Sequence, residues 1–171
     1  AGLDLAKSQV LDPTLKALQR RGIDYKGVIY AGLMITDSGM KVIEFNCRFG
    51  DPECQAIMPL MGSELAITIQ ACALGCLEKA PKLSISNLCS ACVVAASYGY
   101  PESPQSGDLI NINIQDEETI QLFHAGTRYS EENKLLTSGG RVLSVVAQDE
   151  NFDKAFSKVY KGMDQIHFDG I

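Results

Sequence analysis

Residues 27–36 read GVIYAGLMIT, residues 37–39 read DSG, and residues 40–47 read MKVIEFNC. Two apolar runs on either side of a short polar segment that contains glycine predict a β-hairpin. We expect its strands to cover Gly27–Thr36 and Met40–Cys47, with a turn between them. An antiparallel hairpin is therefore the element from which the fold of the first third of the chain is built.

Polar side chains gather where the second strand ends. Residues two apart share a face of a strand, so Glu44 and Asn46 should point together, with Arg48 next in line. Carboxylate and amide oxygens are ligands that Mg²⁺ takes, and an arginine fork suits phosphate or carboxylate. The Gly-Asp-Pro turn that follows adds a second carboxylate at Asp51. The pattern predicts a nucleotide–metal site; the alternative is a solvated strand end, with Arg48 paired to Asp51 or Glu53.

Three helices are predicted. Asp12 as N-cap and a proline at the first helical position predict a helix over Pro13–Arg21. The apolar stretch Ser63–Lys79 predicts a buried helix that Ser63 caps. The 3.6-residue spacing near the end of the chain predicts an amphipathic helix whose stripe centres on Phe156 and Val159. Its apolar positions are Phe152, Ala155, Phe156, Val159, Met163 and Ile166.

Short strands, mostly antiparallel, are expected between the last two helices. Turn residues separate the candidates, which are Ala91–Ser97, Leu109–Ile114, Ile120–Ala125 and Arg141–Gln148. Glu117 and Glu118 should lie in a solvated loop. The predicted organisation is therefore a hairpin region over residues 1–62, a connecting buried helix over residues 63–79, and an α+β domain over residues 80–171.

The composition of the chain disfavours some classes of function. The chain has 171 residues, is 46% hydrophobic, and carries 15 basic and 21 acidic residues for a net charge of −6. These values are typical of a globular protein, and without a basic stripe nucleic-acid binding is disfavoured. No apolar run reaches the ~18 residues of a membrane span. Six cysteines at irregular spacing, with no signal-like N-terminus, favour buried reduced thiols in the cytoplasm over a zinc site.

A family resemblance rests on several motifs. The run RFGDPE at residues 48–53, followed by Gln55 and Ile57, continues the hairpin sequence YAGLMIT…KVIEFNC. FHAGT at residues 123–127 and GGRVL at residues 139–143 lie further along the chain. Together they resemble the glycinamide ribonucleotide synthetases (phosphoribosylamine–glycine ligases) of the ATP-grasp superfamily, and the resemblance spans nearly all of the chain.

The resemblance implies an α+β fold, in which the C-terminal half of an ATP-grasp domain (an antiparallel hairpin plus helices) is followed by a small α+β C-terminal domain. It implies ATP-dependent joining of glycine to 5-phosphoribosylamine through a glycyl phosphate, with Mg²⁺ or Mn²⁺. Glu44 and Asn46 would hold the metal, and Phe45 and Glu44 would contact ATP. Arg48 would be catalytic, and the substrates would be bound by Arg48, Gly50, Asp51, Pro52 and Glu53.

Two departures from the superfamily pattern stand out. Many ATP-grasp enzymes carry another acidic metal ligand twelve residues before the glutamate, where this chain has Gly32. The chain also lacks a glycine-rich phosphate-binding loop, so we expect it to need the missing N-terminal part of the same enzyme and to be inactive alone. The alternatives are another carboxylate–amine ligase of purine synthesis and a non-catalytic module.

Overall fold

The computed structural model describes residues 2–115 and 119–171, which fold as two compact units. The first unit comprises the chain up to Gly50 together with Ser63–Leu83. The second comprises Asp51–Gly62 together with Ser84–Ile171. Each unit is therefore built from separate stretches of sequence, and the division differs from the boundary expected at residue 62.

The first unit begins with a helical stretch that is longer than predicted. Helix α1 covers Gly2–Ala6, a π-helical turn covers Lys7–Leu11, and helix α2 covers Asp12–Arg20. The prediction that Asp12 caps the helix is wrong, because its backbone is already helical and its carboxylate instead pairs with Lys7 at 2.8 Å. The wide π-turn falls just before Pro13, a residue that cannot donate a backbone hydrogen bond.

The predicted hairpin is present in the first unit. Strand β1 covers Tyr30–Thr36 and pairs antiparallel with strand β2, Gly39–Asn46. The register shifts once, at a bulge between Gly32 and Leu33. The face carrying Ile43 and Phe45 is uncovered in this chain, since these side chains are 63% and 45% exposed.

The apolar helix of the first unit is shorter and more exposed than expected. Helix α4 covers Leu65–Leu74, and its N-cap is Glu64, not Ser63, with no side-chain cap bond. It ends because Gly75 adopts the left-handed conformation, with φ at 70°. Of its residues only Ala71 is buried. The helix was predicted to be buried because it is apolar on all sides. Burial also requires another element to pack against the helix, and composition does not predict that.

The second unit has an α+β architecture, as the predicted fold class requires. Strands β3 (Cys89–Ala96), β8 (Arg141–Asp149) and β5 (Ile120–His124) form an antiparallel sheet in the order β3-β8-β5. Helix α5, Phe152–Met163, packs on β3 and β8. The second unit also contains helix α3, Glu53–Ile57. Strand β4 (Asn111–Ile112) pairs with β9 (Ile166–His167), and β6 (Thr127–Tyr129) pairs with β7 (Leu135–Thr137).

The predicted apolar stripe of helix α5 is wrong at two residues. Val159 is fully buried, as expected, but Phe152 is 61% exposed and Phe156 is 42% exposed. The positions that face the sheet are Ala155, Val159 and Gly162. These residues are small enough for the helix to approach closely, since a Cβ at Gly162 would lie 3.0 Å from Cγ1 of Val145. The spacing predicted an apolar face on this helix, but the residues at the centre of that face are small and not large, because the helix packs closely on the sheet.

Two further predictions concern a loop and the absence of a membrane span. Glu117 and Glu118, for which the sequence predicts a solvated loop, lie outside the described residues. Among residues 2–115 and 119–171, no helix combines the length and the apolar character needed to cross a bilayer.

Candidate active site

Strand β2 brings Glu44 and Asn46 together on one face. The amide nitrogen of Asn46 donates a hydrogen bond to Oε1 of Glu44 at 2.9 Å, and the Glu44 side chain is exposed. This contact follows from the two-residue repeat of a strand. Because Asn46 uses its nitrogen as the donor, its amide oxygen is left beside the carboxylate as a second hard oxygen ligand.

Gly32 lies directly across the hairpin from Glu44. A Cβ built at this glycine would lie 3.2 Å from Cγ of Glu44, which is closer than side chains ordinarily approach. The glycine therefore leaves the space that the Glu44 side chain uses. A larger residue at this position would require the Glu44 side chain to shift by a few tenths of an ångström.

Arg48 follows the hairpin at the end of the first unit. Its guanidinium donates to the carbonyl oxygen of Phe49 at 2.8 Å, and the side chain is exposed. The ion pair recorded for Asp51 is with Arg141, at 3.3 Å between Nη2 and Oδ2. Gly50 is buried and is the last residue of the first unit before the chain passes to the second.

The turn at Asp51–Glu53 belongs to the second unit, at the start of helix α3. Oδ1 of Asp51 accepts a hydrogen bond from the side-chain amide of Gln55 at 2.9 Å. Nη1 of Arg141 donates to the backbone oxygen of Asp51 at 2.8 Å. The peptide bond to Pro52 is cis, and Pro52 occupies the N-cap position. Sequence reasoning missed Arg141, although its position within the GGRVL motif was a signal.

A thiol lies close to this turn. Cys92, on strand β3, is half-buried, and burial raises the pKa of its thiol. A hydrogen bond with Ser144 lowers that pKa, while the negative charges of Asp51 and Glu53 raise it. The balance keeps the thiol protonated near neutral pH. Cys92 is therefore an uncharged neighbour of the two carboxylates.

The first unit also contains a cavity of about 460 Å³. Tyr25 lines it, and its hydroxyl donates to the carbonyl oxygen of Val28 at 2.8 Å. A hydrogen bond with Cys47 raises the pKa of Tyr25. Lys26, which also lines the cavity, pairs with Asp24 at 3.0 Å. The predicted site residues are not among those that line this cavity.

Clusters of strong metal ligands are not a feature of the described chain. Within residues 2–115 and 119–171, no group of three or more His, Cys, Asp or Glu side chains is placed to hold a metal ion. All six cysteines are free thiols, but the prediction that they are buried is wrong, because Cys47 is exposed and the other five are only partly buried. Within the described residues, a cation at this position would therefore have Glu44 and Asn46 as its ligands, and Mg²⁺ commonly also keeps water and phosphate oxygens.

Comparison with known families relates both groups of residues to domains of the same enzyme family. Residues 2–54 match the ATP-grasp (A) domain of phosphoribosylglycinamide synthetase, and residues 90–171 match its C domain. The chain belongs to the phosphoribosylglycinamide synthetase family. The first match contains Glu44, Asn46 and Arg48, and the second contains Arg141. Its mixed α/β fold with antiparallel sheets is that of this ATP-grasp family.

Members of the synthetase family resemble the chain along its whole length. It is 46% identical to phosphoribosylamine–glycine ligase of Synechocystis sp., covering 100% of this chain and 41% of that protein. The corresponding ligase of Caldanaerobacter subterraneus is 41% identical, over 99% of this chain and 40% of the relative. The chain thus spans about two fifths of the length of these relatives.

Solved structures agree with the family assignment. The crystal structure of phosphoribosylamine–glycine ligase from Thermotoga maritima superimposes with a TM-score of 0.82 at 31% identity, over 95% of this chain and 39% of that one. Phosphoribosylglycinamide synthetase from Anaerococcus prevotii gives a TM-score of 0.55 at 19% identity. The second similarity concerns the fold alone.

Proposed function

We propose that the chain forms part of an enzyme that joins glycine to 5-phosphoribosylamine with ATP, giving glycinamide ribonucleotide, ADP and phosphate in purine biosynthesis. The observation that carries this proposal is the 2.9 Å contact between Asn46 and Glu44 within the ATP-grasp match. The names of the relatives support the reaction. Because the chain spans about two fifths of their length, the remaining binding groups belong to the rest of the enzyme.

We infer the domain assignment from the same matches. Residues 1–62 would form the C-terminal portion of the ATP-grasp domain, and residues 80–171 would form the C-terminal domain. Residues 63–79 would connect the two. The family matches over residues 2–54 and 90–171 support an ATP-grasp portion followed by a C domain, although residues 51–62 pack in the same compact unit as the C domain.

Glu44 and Asn46 would hold Mg²⁺ or Mn²⁺. The donor set fits such a cation, because a carboxylate and an amide oxygen are hard ligands on one exposed strand face. When bound, the cation would supply positive charge at the ATP phosphates and lower the repulsion between them and an incoming carboxylate. Phe45, on the same strand, would contact the nucleotide.

Arg48 would act on the reacting groups themselves. A glycine carboxylate becomes a good electrophile only after one oxygen accepts a phosphoryl group from ATP, and both reactants are anionic. The guanidinium of Arg48 would offset the charge that develops during this transfer. Its bond to the carbonyl oxygen of Phe49 uses one of the guanidinium's N–H groups, and the others can bind phosphate or carboxylate. Substrate contacts would come from Arg48, Gly50, Asp51, Pro52 and Glu53.

We infer a cytoplasmic location for the enzyme. The six free thiols of the chain are compatible with a reducing compartment. The substrates proposed here, glycine and a phosphorylated ribosylamine, are small polar molecules. Neither nucleic acid nor membrane enters the proposed function.

The test uses the longer protein that contains this chain. Purified protein is supplied with ATP, Mg²⁺, glycine and freshly made 5-phosphoribosylamine, and ADP release is followed with each substrate omitted in turn. The proposal expects release that requires both substrates, and it fails if another amino acid or amine replaces either one with equal efficiency. That outcome would favour another carboxylate–amine ligase. No substrate-dependent release at all would favour a non-catalytic module.

A second arm uses the 171-residue chain alone. We expect no substrate-dependent ADP release from it, because closure of a site that excludes water needs groups beyond Glu44, Asn46 and Arg48. Activity should return when the N-terminal portion of the enzyme is added. Turnover by the chain alone would contradict this part of the proposal.

A further inference from the structure

We propose that Arg141 is a positioning residue that fixes the Asp51–Glu53 turn on the sheet of the second unit. The inference rests on the proposed function, which assigns that turn to substrate binding. Arg141 lies ninety residues beyond Asp51 in the sequence, yet it contacts both the main chain and the side chain of Asp51. No role was assigned to it on the basis of the sequence.

The contact is of a kind that only arginine makes well. Nη1 donates to the backbone oxygen of Asp51 at 2.8 Å, and Nη2 lies 3.3 Å from its carboxylate. One rigid, planar group thus restrains two parts of the same residue. The Asp51 carboxylate is held from a second side by Gln55 at 2.9 Å. The turn is therefore oriented from both strand β8 and helix α3.

The contact contributes more to geometry than to stability. The side chains of Arg141 and Asp51 are 41% and 45% exposed, so solvent screens the attraction between them. Ion pairs at this degree of exposure usually change the free energy of unfolding little. A group that adds little to stability but fixes the direction of a carboxylate suits a site in which substrate must be held precisely.

Close packing at Gly126 and Gly140 fixes the position of the Arg141 backbone. Its backbone oxygen accepts a hydrogen bond from the N–H of Gly126 at 2.8 Å. A Cβ at Gly126 would lie 2.7 Å from that oxygen and 2.7 Å from Cα of Gly139. A Cβ at Gly140 would collide with the ring of Tyr100. The FHAGT and GGRVL motifs therefore pack against each other and place the start of β8 beside the turn.

Cys92 supplies a readout that does not depend on activity. Its thiol is half-buried on strand β3, which helix α3 and the turn at its start contact. If Arg141 holds the turn in place, its loss should expose this thiol more often. Cys89 lies at the start of the same strand and bonds to the backbone oxygen of Glu150, so it serves as an internal reference.

The experiment compares Arg141→Gln, Arg141→Lys and a control, Arg128→Gln. Arg128 is an exposed arginine on strand β6 of the same unit. In the longer protein, Arg141→Gln should raise KM for the substrate bound at the turn about tenfold, while kcat changes less than about twofold. Arg141→Lys should recover part of the loss, because lysine restores the charge but not the fork. The control should match the parent protein.

The thiol measurement follows alkylation of each cysteine by mass spectrometry. We expect Cys92 to be alkylated about fivefold faster in Arg141→Gln than in the parent protein, while the rate at Cys89 stays unchanged. A fivefold increase corresponds to a free energy of local opening that is lower by about 1 kcal/mol. Gly126→Ala should give the same pattern without removing a charge. An unchanged Cys92 rate together with an unchanged KM would overturn the proposal. Equal acceleration at both thiols with a large loss of thermal stability would also overturn it, because it would indicate a general structural role.

The two proposals fail in distinguishable ways. If the parent enzyme shows no ligase activity, the proposed function fails, whereas the alkylation of Cys92 still decides whether Arg141 holds the turn. If ligation is normal in the parent and in Arg141→Gln, and Cys92 is alkylated at the same rate in both, only the positioning proposal fails.

Discussion

Replacement of Glu44 by glutamine tests the centre of the proposed site. Glutamine has the same shape as glutamate and keeps an oxygen that can accept the N–H of Asn46, which lies 2.9 Å away in the parent chain. The change therefore removes a negative charge and little else. Because the side chain is exposed, the free energy of unfolding should change by less than about 0.5 kcal/mol, which is a shift of roughly 1–2 °C in Tm.

The effect on turnover should be much larger. Loss of one preorganised charge at such a site lowers kcat by about 10²-fold or more, which corresponds to about 2.7 kcal/mol. Since the variant would lose a carboxylate ligand of the cation, the Mg²⁺ concentration needed for half-maximal rate should also rise. A change in kcat without a change in Tm separates a role in catalysis from a role in folding.

The assay is substrate-dependent ADP release by the longer protein at several Mg²⁺ concentrations, with thermal unfolding measured in parallel. Glu131→Gln is the matched control, because Glu131 is an exposed carboxylate of the second unit. The reasoning is refuted if Glu44→Gln retains near-normal kcat with an unchanged Mg²⁺ requirement.

Gly32→Ala probes the same carboxylate by crowding it. The added Cβ would lie 3.2 Å from Cγ of Glu44, so the side chain must move by a few tenths of an ångström. Its exposure lets it move without unfolding the hairpin. We expect Tm within about 2 °C of the parent and kcat lower by several fold, since small displacements of catalytic groups are costly. Unchanged kcat would show that the position of Glu44 is not critical.

The remaining predictions concern the second unit. Val159→Ala should cost about 2–3 kcal/mol in the free energy of unfolding, whereas Phe156→Ala should cost about half of that, because only Val159 is fully buried; denaturant titration would contradict the assigned register if the order were reversed. Lys158 and the N–H of Glu150 hold the pKa of Asp149 below its usual value. The contribution of the Asp149–Lys158 ion pair to the free energy of unfolding is therefore present above about pH 4. It is lost as the pH falls through the lowered pKa of Asp149. The difference in unfolding free energy between the parent and Asp149→Asn should thus shrink in acid, and a difference that grows in acid would contradict this assignment.

Local patterns predicted the hairpin and the contact within it. Alternation and a polar turn located β1 and β2, and the two-residue repeat placed Glu44 beside Asn46. Both features depend on residues close in sequence, where backbone geometry leaves few alternatives. The start of α2 was predicted to within one residue, but the helical turns that precede it were missed, because Asp12 and Pro13 were interpreted as the beginning of a new helix.

Long-range features could not be read in the same way. The partner of Asp51 is ninety residues away, and nothing in the spacing of charges distinguishes Arg141 from Arg48 as that partner. The centre of helix α5 was misplaced because hydrophobicity favours phenylalanine, whereas close packing on a sheet favours alanine and glycine. Strands of three residues, such as Thr127–Tyr129, are too short to show a period.

The path of the chain through the second unit has a consequence for dissecting the protein. The backbone leaves this unit after Gly62 and returns at Ser84, and the N–H of Gly62 donates to the oxygen of Ser84 at 2.9 Å. Met61 and Ile85 are bridged as well. Ser63–Leu83 is therefore an insertion whose two ends are already joined, and a short turn could replace it. A cut at residue 62 or 80 would instead remove helix α3 and the Asp51 turn from the sheet that carries them.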